Sequence, residues 1–153
     1  LMDNTNEPFI YEIGEAVDHR GSLEYYNDLT ISNYKRFYIV KNPTRGTVRA
    51  WHGHKKEAKL VKVLKGEIAL YLIKVENWDN PSKDIEPYLY KLNENSGIVY
   101  VPPDFANGAI NLVNNSNIMY FSSSTLEESK NDDFRFDPKY WNVWKQYSPE
   151  IYE

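Results

Sequence analysis

Short apolar runs recur along the chain at a spacing that is typical of β-strands. Each run is rich in Ile, Val, Tyr and Phe, and polar or glycine-containing turns separate one run from the next. Eight runs stand out: PFIYEI (8–13), RFYIVK (36–41), KLVKVL (59–64), EIALYLIKV (67–75), PYLYKL (87–92), GIVYVP (97–102), AINLV (109–113) and NIMYFSSS (117–124). The pattern predicts an all-β protein.

Two of these runs indicate how the strands are arranged. KLVKVL sets Lys59 and Lys62 among apolar residues, whereas IALYLI (68–73) is apolar on both faces, as expected of a strand between two layers. Such strands favour a sandwich or a closed barrel, and the 153 residues have the length of one domain, 1–153. The last fifteen residues are ambiguous, because their aromatic side chains fall at helical spacing but also suit a strand or a packed extension.

Composition excludes several classes of protein. Aromatic residues make up 15% of the chain, which suits a sheet protein or an interface. Without cysteine there can be no disulfides, thiolate metal sites or cysteine nucleophiles. No apolar run approaches the ~20 residues of a membrane span, and no basic-then-apolar leader opens the chain. We therefore expect a soluble, cytoplasmic protein with no membrane partner.

Charge is unevenly distributed along the chain. Residues 45–65 carry seven lysines and arginines against one acid, Glu57, whereas the whole chain has a net charge of −4. An acidic protein with one basic segment is a poor general binder of nucleic acid but a plausible host for a small anion. A lysine-rich exposed strand face is the alternative, and Lys62 and Lys65 are expected to be solvated charges.

His52 and His54 lie within this basic segment on alternate residues. On a strand, residues two apart point to the same face, so the two imidazoles project together, about 7 Å apart along the chain. They therefore form one candidate site, for which metal binding, proton transfer and a purely structural role are the alternatives.

The histidine pair resembles the first motif of the cupin family, whose fold is a jelly-roll β-barrel. Gly46 precedes the pair at the distance typical of cupins, and Pro102 and Asn111 suit the second motif. Lys59 stands where a metal-binding cupin has glutamate, and Asn107 where it has its third histidine. Because stable sites usually have three or four protein ligands, we predict no bound metal and favour proton transfer on an anionic substrate.

Two longer segments resemble a narrower family, the dTDP-4-dehydrorhamnose 3,5-epimerases. These are TVRAWHGHKKEAKLVKVLKGEI (47–68) and VYVPPDFANGAINLV (99–113), and the likeness spans roughly residues 18–144. The resemblance implies a metal-independent, cofactor-free cupin enzyme of carbohydrate biosynthesis, such as that of lipopolysaccharide. It assigns to this chain a family arginine (Arg49), a catalytic base (His52), a lysine (Lys59) and a late aspartate that orients the base (Asp137).

The N-terminal half also resembles a sister family, the dTDP-4-keto-6-deoxyhexose 3,4-ketoisomerases. DHRGSL (18–23), YKRFYIV (34–40) and the alternate histidines followed by Lys-Lys carry this likeness. Both families act on a nucleotide sugar with a ketone at C4 and both are dimers. The resemblance therefore implies the substrate class and a homodimer, and leaves epimerisation and ketone migration as alternatives.

The chain departs from the epimerase pattern at two places. Asn107 replaces a histidine, and no tyrosine follows Tyr120 by about six residues, where the family has its general acid and this chain has Leu126. These departures leave the proton donor unidentified and keep open a third alternative, a cupin that binds a sugar nucleotide without chemistry.

The chemistry follows from the C4 ketone, which acidifies the hydrogens at C3 and C5. His52 would remove one of them, Asp137 would fix its tautomer, and Lys59 would face the enolate oxygen. The remaining predicted contacts to substrate are Arg20, Arg49, His54, Asn107 and Tyr120, with an arginine at the pyrophosphate. Arg20 has a turn role as its alternative, His54 could only fill the site, and Tyr120 has a packing role or that of the displaced acid as alternatives. Trp51 and Tyr38 are expected either in the core or stacked on a base or sugar.

Overall fold

The computed structural model describes residues 5–147, which are almost entirely strands and the turns between them. One short helix, α1 (Leu126–Lys130), and two single-turn 3-10 helices, Ile31–Asn33 and Val143–Gln146, interrupt the strands. The strands are β1 (Phe9–Tyr11), β2 (Gly14–Asp18), β3 (Gly21–Tyr25), β4 (Arg36–Asn42), β5 (Val48–His54), β6 (Lys59–Lys65), β7 (Glu67–Lys74), β8 (Tyr88–Asn93), β9 (Ile98–Val101), β10 (Phe105–Asn111), β11 (Ser116–Ser122) and β12 (Phe134–Arg135).

The strands form two five-stranded antiparallel sheets and one hairpin. The first sheet has the order β1-β9-β6-β11-β4, the second the order β12-β5-β10-β7-β8, and β2 pairs with β3 alone. Side chains from both sheets meet in one core. There Val61 and Ile118 of the first sheet pack with Leu70 and Ala109 of the second. The jelly roll predicted from the sequence is confirmed. Within residues 5–147 no ladder joins the two sheets, so they form an open sandwich rather than a closed barrel.

All eight predicted strands are present, with one early start. β10 begins at Phe105 rather than Ala109, because its first residues pair with both β5 and β7. β5 was not among the eight runs, although the histidine pair was considered on a strand, and the β2–β3 hairpin, β12 and α1 were not predicted. Along the described part of the chain, no helix has the length and apolar character needed to span a membrane.

The C-terminal segment is a packed extension over the outer face of the second sheet. Trp141 and Trp144 are buried there against Trp51, with ring centroids 5.5 and 5.1 Å from that of Trp51. Aromatic side chains of this size bury roughly 150–250 Å² each, so the segment is held by hydrophobic contact. Trp51 therefore belongs to this aromatic layer and not to a ligand site, while residues 148–153 of the ambiguous segment lie outside the described part.

Candidate active site

A cavity of about 460 Å³ lies between the two sheets, beneath α1. This volume is within the range typical of small-molecule sites. Five of its side chains are cationic and two are carboxylates, so it attracts anions in a chain whose net charge is negative. It is lined by Arg36, Tyr38, Val40, Arg49, His52, His54, Glu57, Lys59, Asn107, Tyr120, Leu126, Ser129, Lys130, Asp133 and Arg135.

A β-bulge in β5 brings Arg49 to the same wall as the histidines. His52 pairs with Asn107 and Arg49 pairs with Ala109, so two residues of β5 oppose the single residue Gly108 of β10. This extra residue reverses the alternation of faces, which would otherwise separate positions 49 and 52. A Cβ atom at Gly108 would come within 2.7 Å of the Ala50 Cβ, so only glycine allows so close an approach.

His52 extends into the cavity without an orienting partner. It is half-buried, and its ring makes no hydrogen bond to any residue within 5–147. Burial, together with the charges of Lys59 and Arg135, lowers the pKa of His52 from 6.5 to about 4, while Asp133 acts in the opposite direction. The imidazole is therefore neutral at pH 7 and able to accept a proton.

His54 is held more firmly than its neighbour. Its Nδ1 lies 2.6 Å from the main-chain oxygen of Asp132, and because a carbonyl can only accept, Nδ1 carries the hydrogen. Burial and then the charge of Lys59 lower the pKa of His54 below its ordinary value, and Glu57 and Asp132 offset only part of this shift. The Nε2 atom is left facing Glu57 Oε2 at 3.4 Å.

Asp132 organises the turn that carries these groups. Its carboxylate accepts hydrogen bonds from the main-chain amides of Lys55, Lys56 and Glu57 at 2.8, 2.9 and 3.0 Å. Asp132 is buried, and its own carbonyl holds His54. One residue therefore positions both the β5–β6 turn and the second histidine.

Glu57 is a buried carboxylate among cations. Its Oε1 accepts a short hydrogen bond from Ser129 and lies 3.8 Å from Arg36. Its Oε2 has no hydrogen-bond partner among residues 5–147, although Lys59 Nζ is 3.6 Å away. The sequence contained one signal for this residue, since Glu57 is the only acid in the basic segment.

The opposite wall is aromatic. Tyr120 is buried and stacks on Tyr38 with ring centroids 5.3 Å apart, and Lys59 Nζ lies 5.8 Å from the centroid of Tyr120. Burial raises the pKa of Tyr120, so its hydroxyl stays protonated. Tyr120 thus forms both core and cavity wall.

The family model described as dTDP-4-dehydrorhamnose 3,5-epimerase matches residues 5–150 of this chain. The chain belongs to that epimerase family. This confirms the resemblance carried by the two motifs around His52 and Asn107. A comparison with curated protein sequences finds no match.

Solved structures similar to this epimerase-family chain include both reaction types. The RmlC epimerase of Mycobacterium tuberculosis is 18% identical, with 93% of this chain and 76% of that chain covered and a TM-score of 0.71. The QdtA 3,4-ketoisomerase of Thermoanaerobacterium thermosaccharolyticum, a double mutant in complex with TDP, is 20% identical over 93% and 96% of the two chains, with a TM-score of 0.67. The ChmJ 3'-monoepimerase of Streptomyces bikiniensis, in complex with dTDP-quinovose, is 14% identical over 86% and 70%, with a TM-score of 0.70. These likenesses show a shared fold.

Most of the site residues predicted for this family member meet in the cavity. Arg49, His52, His54, Lys59, Asn107 and Tyr120 all line it. Asn107, which replaces the family histidine, uses its Nδ2 to hold the main-chain oxygen of His52 at 3.1 Å. The position of the missing tyrosine, Leu126, is at the rim on α1, where an exposed leucine cannot supply a proton.

Two predicted site residues lie elsewhere. Asp137 is exposed, and its carboxylate accepts a hydrogen bond from the main-chain amide of Lys139 at 2.8 Å, so the predicted pair with His52 is not formed. The charge of Asp133 raises the pKa of His52, but Asp133 makes no hydrogen bond to that ring. Arg20 is at the tip of the β2–β3 hairpin, paired with Asp18 at 2.5 Å, and does not line this cavity.

One lysine differs from the expected solvated charge. Lys62 is buried on the outer face of the first sheet, where its Nζ donates to the main-chain oxygen of Ser96 at 2.6 Å and pairs with Glu24 at 3.2 Å. It is therefore a structural cation that ties β6 to the β8–β9 turn and to β3. Lys65 is exposed, as expected.

A second, wider surface depression of about 860 Å³ is formed by the β7–β8 connection and Tyr140. Its charges are balanced, with Lys74 and Lys83 against Glu76 and Asp84. It contains no histidine and no excess of positive charge. The smaller cavity is therefore the candidate active site.

Proposed function

We propose that the protein is a nucleotide-sugar isomerase that epimerises a dTDP-4-keto-6-deoxyhexose at C3, C5 or both through an enolate. One observation carries this proposal: a neutral histidine, His52, faces a cavity beside a buried ammonium group, Lys59. A neutral base and a fixed cation are the two groups that enolate formation requires.

His52 acts on the carbon acid. Its imidazole takes the C3 or C5 proton, and the electron pair of that C–H bond moves into a carbon–carbon double bond as the C4 oxygen becomes negative. Lys59 stabilises that oxygen, because its charge is preorganised in a buried setting where electrostatic interactions are strong. Lys59 therefore contributes more to the transition state than to ground-state binding.

The cations at the cavity wall and mouth suit the diphosphate of the substrate. Arg49 lies on the wall, Lys130 is the last residue of α1, and Arg135 is the last residue of β12. Arginine binds phosphate oxygens through two parallel hydrogen bonds, which also fixes orientation. His54, Asn107 and Tyr120 are the remaining substrate contacts proposed from this chain, whereas Arg20 does not line this cavity.

A 3,4-ketoisomerase is the second candidate. His52 and His54 project from the same face of β5, which suits a proton shift between adjacent carbons on one face of the sugar. Loss of the tyrosine on the opposite side favours such a shift or a single epimerisation. The substrate class is the same for both candidates.

The test is incubation with a dTDP-4-keto-6-deoxyhexose in D2O, followed by NMR. Deuterium at C3 or C5 with inversion supports the epimerase, and a new 3-ketone supports the isomerase. Unchanged substrate with measurable binding would instead identify a non-catalytic binder. The control is His52→Asn, which should remove exchange and keep binding.

We also propose that the enzyme is metal-independent. Lys59 lies beside the histidine pair, and Glu57 Oε1 already accepts a hydrogen bond from Ser129. These side chains are therefore poorly suited to bind a metal ion. Elemental analysis of chelator-free, active protein checks this. About one zinc, iron or nickel per chain that is lost together with activity on chelation would contradict it.

A homodimer in the cytoplasm completes the proposal. The edge strand β4 exposes Phe37 and Ile39, and the β2–β3 hairpin exposes Val17 and Leu23. These apolar side chains lie on strands that have one edge without a partner among residues 5–147. Such edges are usually covered by a partner. Light scattering should give twice the chain mass of 18.0 kDa, and a monomer at working concentration would contradict the dimer. The absence of cysteine suits a reducing compartment.

A further inference from the structure

Arg49 differs from the other arginines of the cavity in having no carboxylate beside it. Three arginines line the cavity. Arg36 Nη2 lies 3.8 Å from Glu57 Oε1. Arg135 Nε pairs with Asp133 Oδ2 at 3.1 Å. Arg49 has no carboxylate partner in the described part of the chain, and it is exposed at the cavity wall. Its charge is therefore available to an anionic ligand.

The Arg49 side chain makes one hydrogen bond within residues 5–147, and the acceptor is neutral. Arg49 Nε donates to Asn42 Oδ1 at 2.8 Å. Asn42 is 4% exposed and does not line the cavity, so it can act on a ligand only through Arg49. With Nε occupied, the two Nη groups at the end of the guanidinium remain for the cavity. Two coplanar N–H donors of this kind match two oxygens of a phosphate group.

A second buried amide, Asn111, fixes the direction in which Asn42 faces. Asn111 Nδ2 donates to the main-chain oxygens of Asn42 and Thr44 at 3.0 and 3.3 Å, and these oxygens can only accept. Asn111 Oδ1 therefore accepts from Asn42 Nδ2, at 3.3 Å. This leaves Asn42 Oδ1 for Arg49, so the three side chains form one hydrogen-bonded chain with a single direction.

The two amides also join the two sheets next to the cavity. Asn42 is the last residue of β4 in the first sheet, and Asn111 is the last residue of β10 in the second. Buried polar networks whose hydrogen bonds are satisfied are rigid. The Arg49 guanidinium is therefore held in place before a ligand arrives, which reduces the conformational entropy that binding costs.

We propose that Asn42 is a positioning residue, whose amide, oriented by Asn111, holds Arg49 so that its two Nη groups bind the substrate diphosphate end-on. This inference deepens the function proposed above and rests on its nucleotide-sugar ligand. The diphosphate is distant from the reacting carbons and is bound equally in the ground state and in the transition state. Asn42 therefore acts on substrate binding rather than on the chemical step.

The pairing can be measured without any ligand, from the NMR signals of the arginine Nε–H groups. The chain has five arginines, so the signals are few, and Arg49→Lys removes the one in question. A hydrogen-bonded Nε–H exchanges slowly with water, so the wild type should show a protected Arg49 signal that Asn42→Ala loses. Arg45, which is exposed, is the internal reference. An Arg49 Nε–H that exchanges as fast as that of Arg45 in the wild type would overturn the pairing.

Binding of dTDP, measured by calorimetry, tests the role in recognition. Arg49→Met should weaken binding by about 10–100-fold, the usual effect of losing hydrogen bonds to a charged group. Asn42→Ala should weaken it by about 3–10-fold, because a long side chain must then be ordered on binding. In the Arg49→Met background, Asn42→Ala should change affinity by less than about twofold, since its effect passes through Arg49. Unchanged affinity in Asn42→Ala, or an equal loss in both backgrounds, would overturn the proposal.

Arg49→Lys keeps the proposal testable if Asn42→Ala does not fold, because the side chain at position 49 is exposed. Lysine keeps the charge but has neither the Nε donor nor the paired N–H groups. The affinity for dTDP should fall by about tenfold or more. An affinity close to that of the wild type would show that charge alone is sufficient, and would overturn the proposal.

Ser116→Ala is the matched control. Ser116 is buried and lies opposite Asn42 in the β4–β11 ladder, where its hydroxyl accepts from the main-chain amide of Glu67, but it does not line the cavity. Its loss should lower the free energy of unfolding and leave both the Arg49 signal and the dTDP affinity unchanged. A loss of affinity equal to that of Asn42→Ala would reduce Asn42 to a structural role and overturn the proposal.

Turnover separates this inference from the isomerase function. With a dTDP-4-keto-6-deoxyhexose, Asn42→Ala should raise KM and leave kcat nearly unchanged, the pattern of lost uniform binding. If the wild type binds dTDP but exchanges no deuterium, the isomerase function fails, and the calorimetric results still decide the role of Asn42. Absence of dTDP binding in the wild type would overturn both.

Discussion

Replacing Lys59 by methionine should raise the pKa of His52 and move the acid limb of the reaction to higher pH. Methionine keeps an unbranched apolar stem of similar size but removes the ammonium group, whose charge is the second-largest cause of the lowered pKa of His52 after burial. Burial and Arg135 remain in the variant. The pKa of His52 should therefore rise but stay below its ordinary value of 6.5.

The size of the effect follows from the wild-type value. A pKa lowered from 6.5 to about 4 corresponds to about 3 kcal/mol between the two protonation states. At pH 7 roughly one His52 ring in a thousand is then protonated, against about one in four for an unperturbed histidine. Because a base must be neutral to accept a proton, exchange in the wild type should be independent of His52 protonation from pH 6 upward and decline only towards pH 4.

Two measurements check this expectation. NMR titration gives the midpoint of His52 directly, and the pH dependence of kcat/KM for deuterium exchange reports the same group in the free enzyme. In Lys59→Met both should shift to higher pH, and the rate at its plateau should fall more than substrate affinity, because the charge that Lys59 stabilises exists only in the enolate. A wild-type midpoint near pH 6.5, or one that Lys59→Met leaves in place, would refute the reasoning.

Three further outcomes are expected. His52→Asn should abolish deuterium exchange and change the dissociation constant of dTDP, measured by calorimetry, by no more than about twofold. Asp137→Asn should keep near wild-type exchange, because the Asp137 carboxylate contacts only a turn amide. The reverse pattern would restore the pairing inferred from sequence. Asp132→Ala should lower the free energy of unfolding in urea by about 3 kcal/mol, since three main-chain amides lose a charged acceptor, and a change below about 1 kcal/mol would contradict that role. The unfolded state binds a proton at His52 below pH 6.5, whereas the folded state binds it only near pH 4. The free energy of unfolding of the wild type should therefore fall relative to that of His52→Asn as pH drops from 6.5 to 4, by at most about 2 kcal/mol after solvent screening. No relative change in urea titrations would count against the lowered pKa.

The core strands were predictable from sequence because their apolar residues are buried on at least one face. IALYLI became β7, which is buried at six consecutive positions, 68–73. The β2–β3 hairpin was missed for the same physical reason, since its residues are largely exposed and show no apolar alternation. Helix α1 has only five residues and depends on a capping box between Thr125 and Glu128 rather than on an apolar face.

The candidate site was predictable where residues are close in sequence and less so where they are distant. His52, His54 and Lys59 lie on one short segment, and strand geometry alone brings the first two together. The carboxylate whose charge acts on His52, Asp133, comes from a loop some eighty residues later. Asp137 lies at an exposed turn, and its role as the group that orients the base stays a prediction. Glu57 was counted as a charge but not as a site residue, because its burial under α1 depends on contacts with Ser129 and Arg36.

The bulge in β5 gives this strand two phases. Before Ala50 the odd-numbered residue Arg49 faces the cavity, whereas after Trp51 the even-numbered histidines do. Regular pairing of both bulged residues, at unchanged length, would put the strand into a single phase and turn the arginine towards the tryptophans of the outer layer. Loss of the bulge is therefore equivalent to exchanging a wall of the pocket for part of the core. Redesign of specificity should vary the side chains of the wall and keep the bulge and Gly108 opposite it.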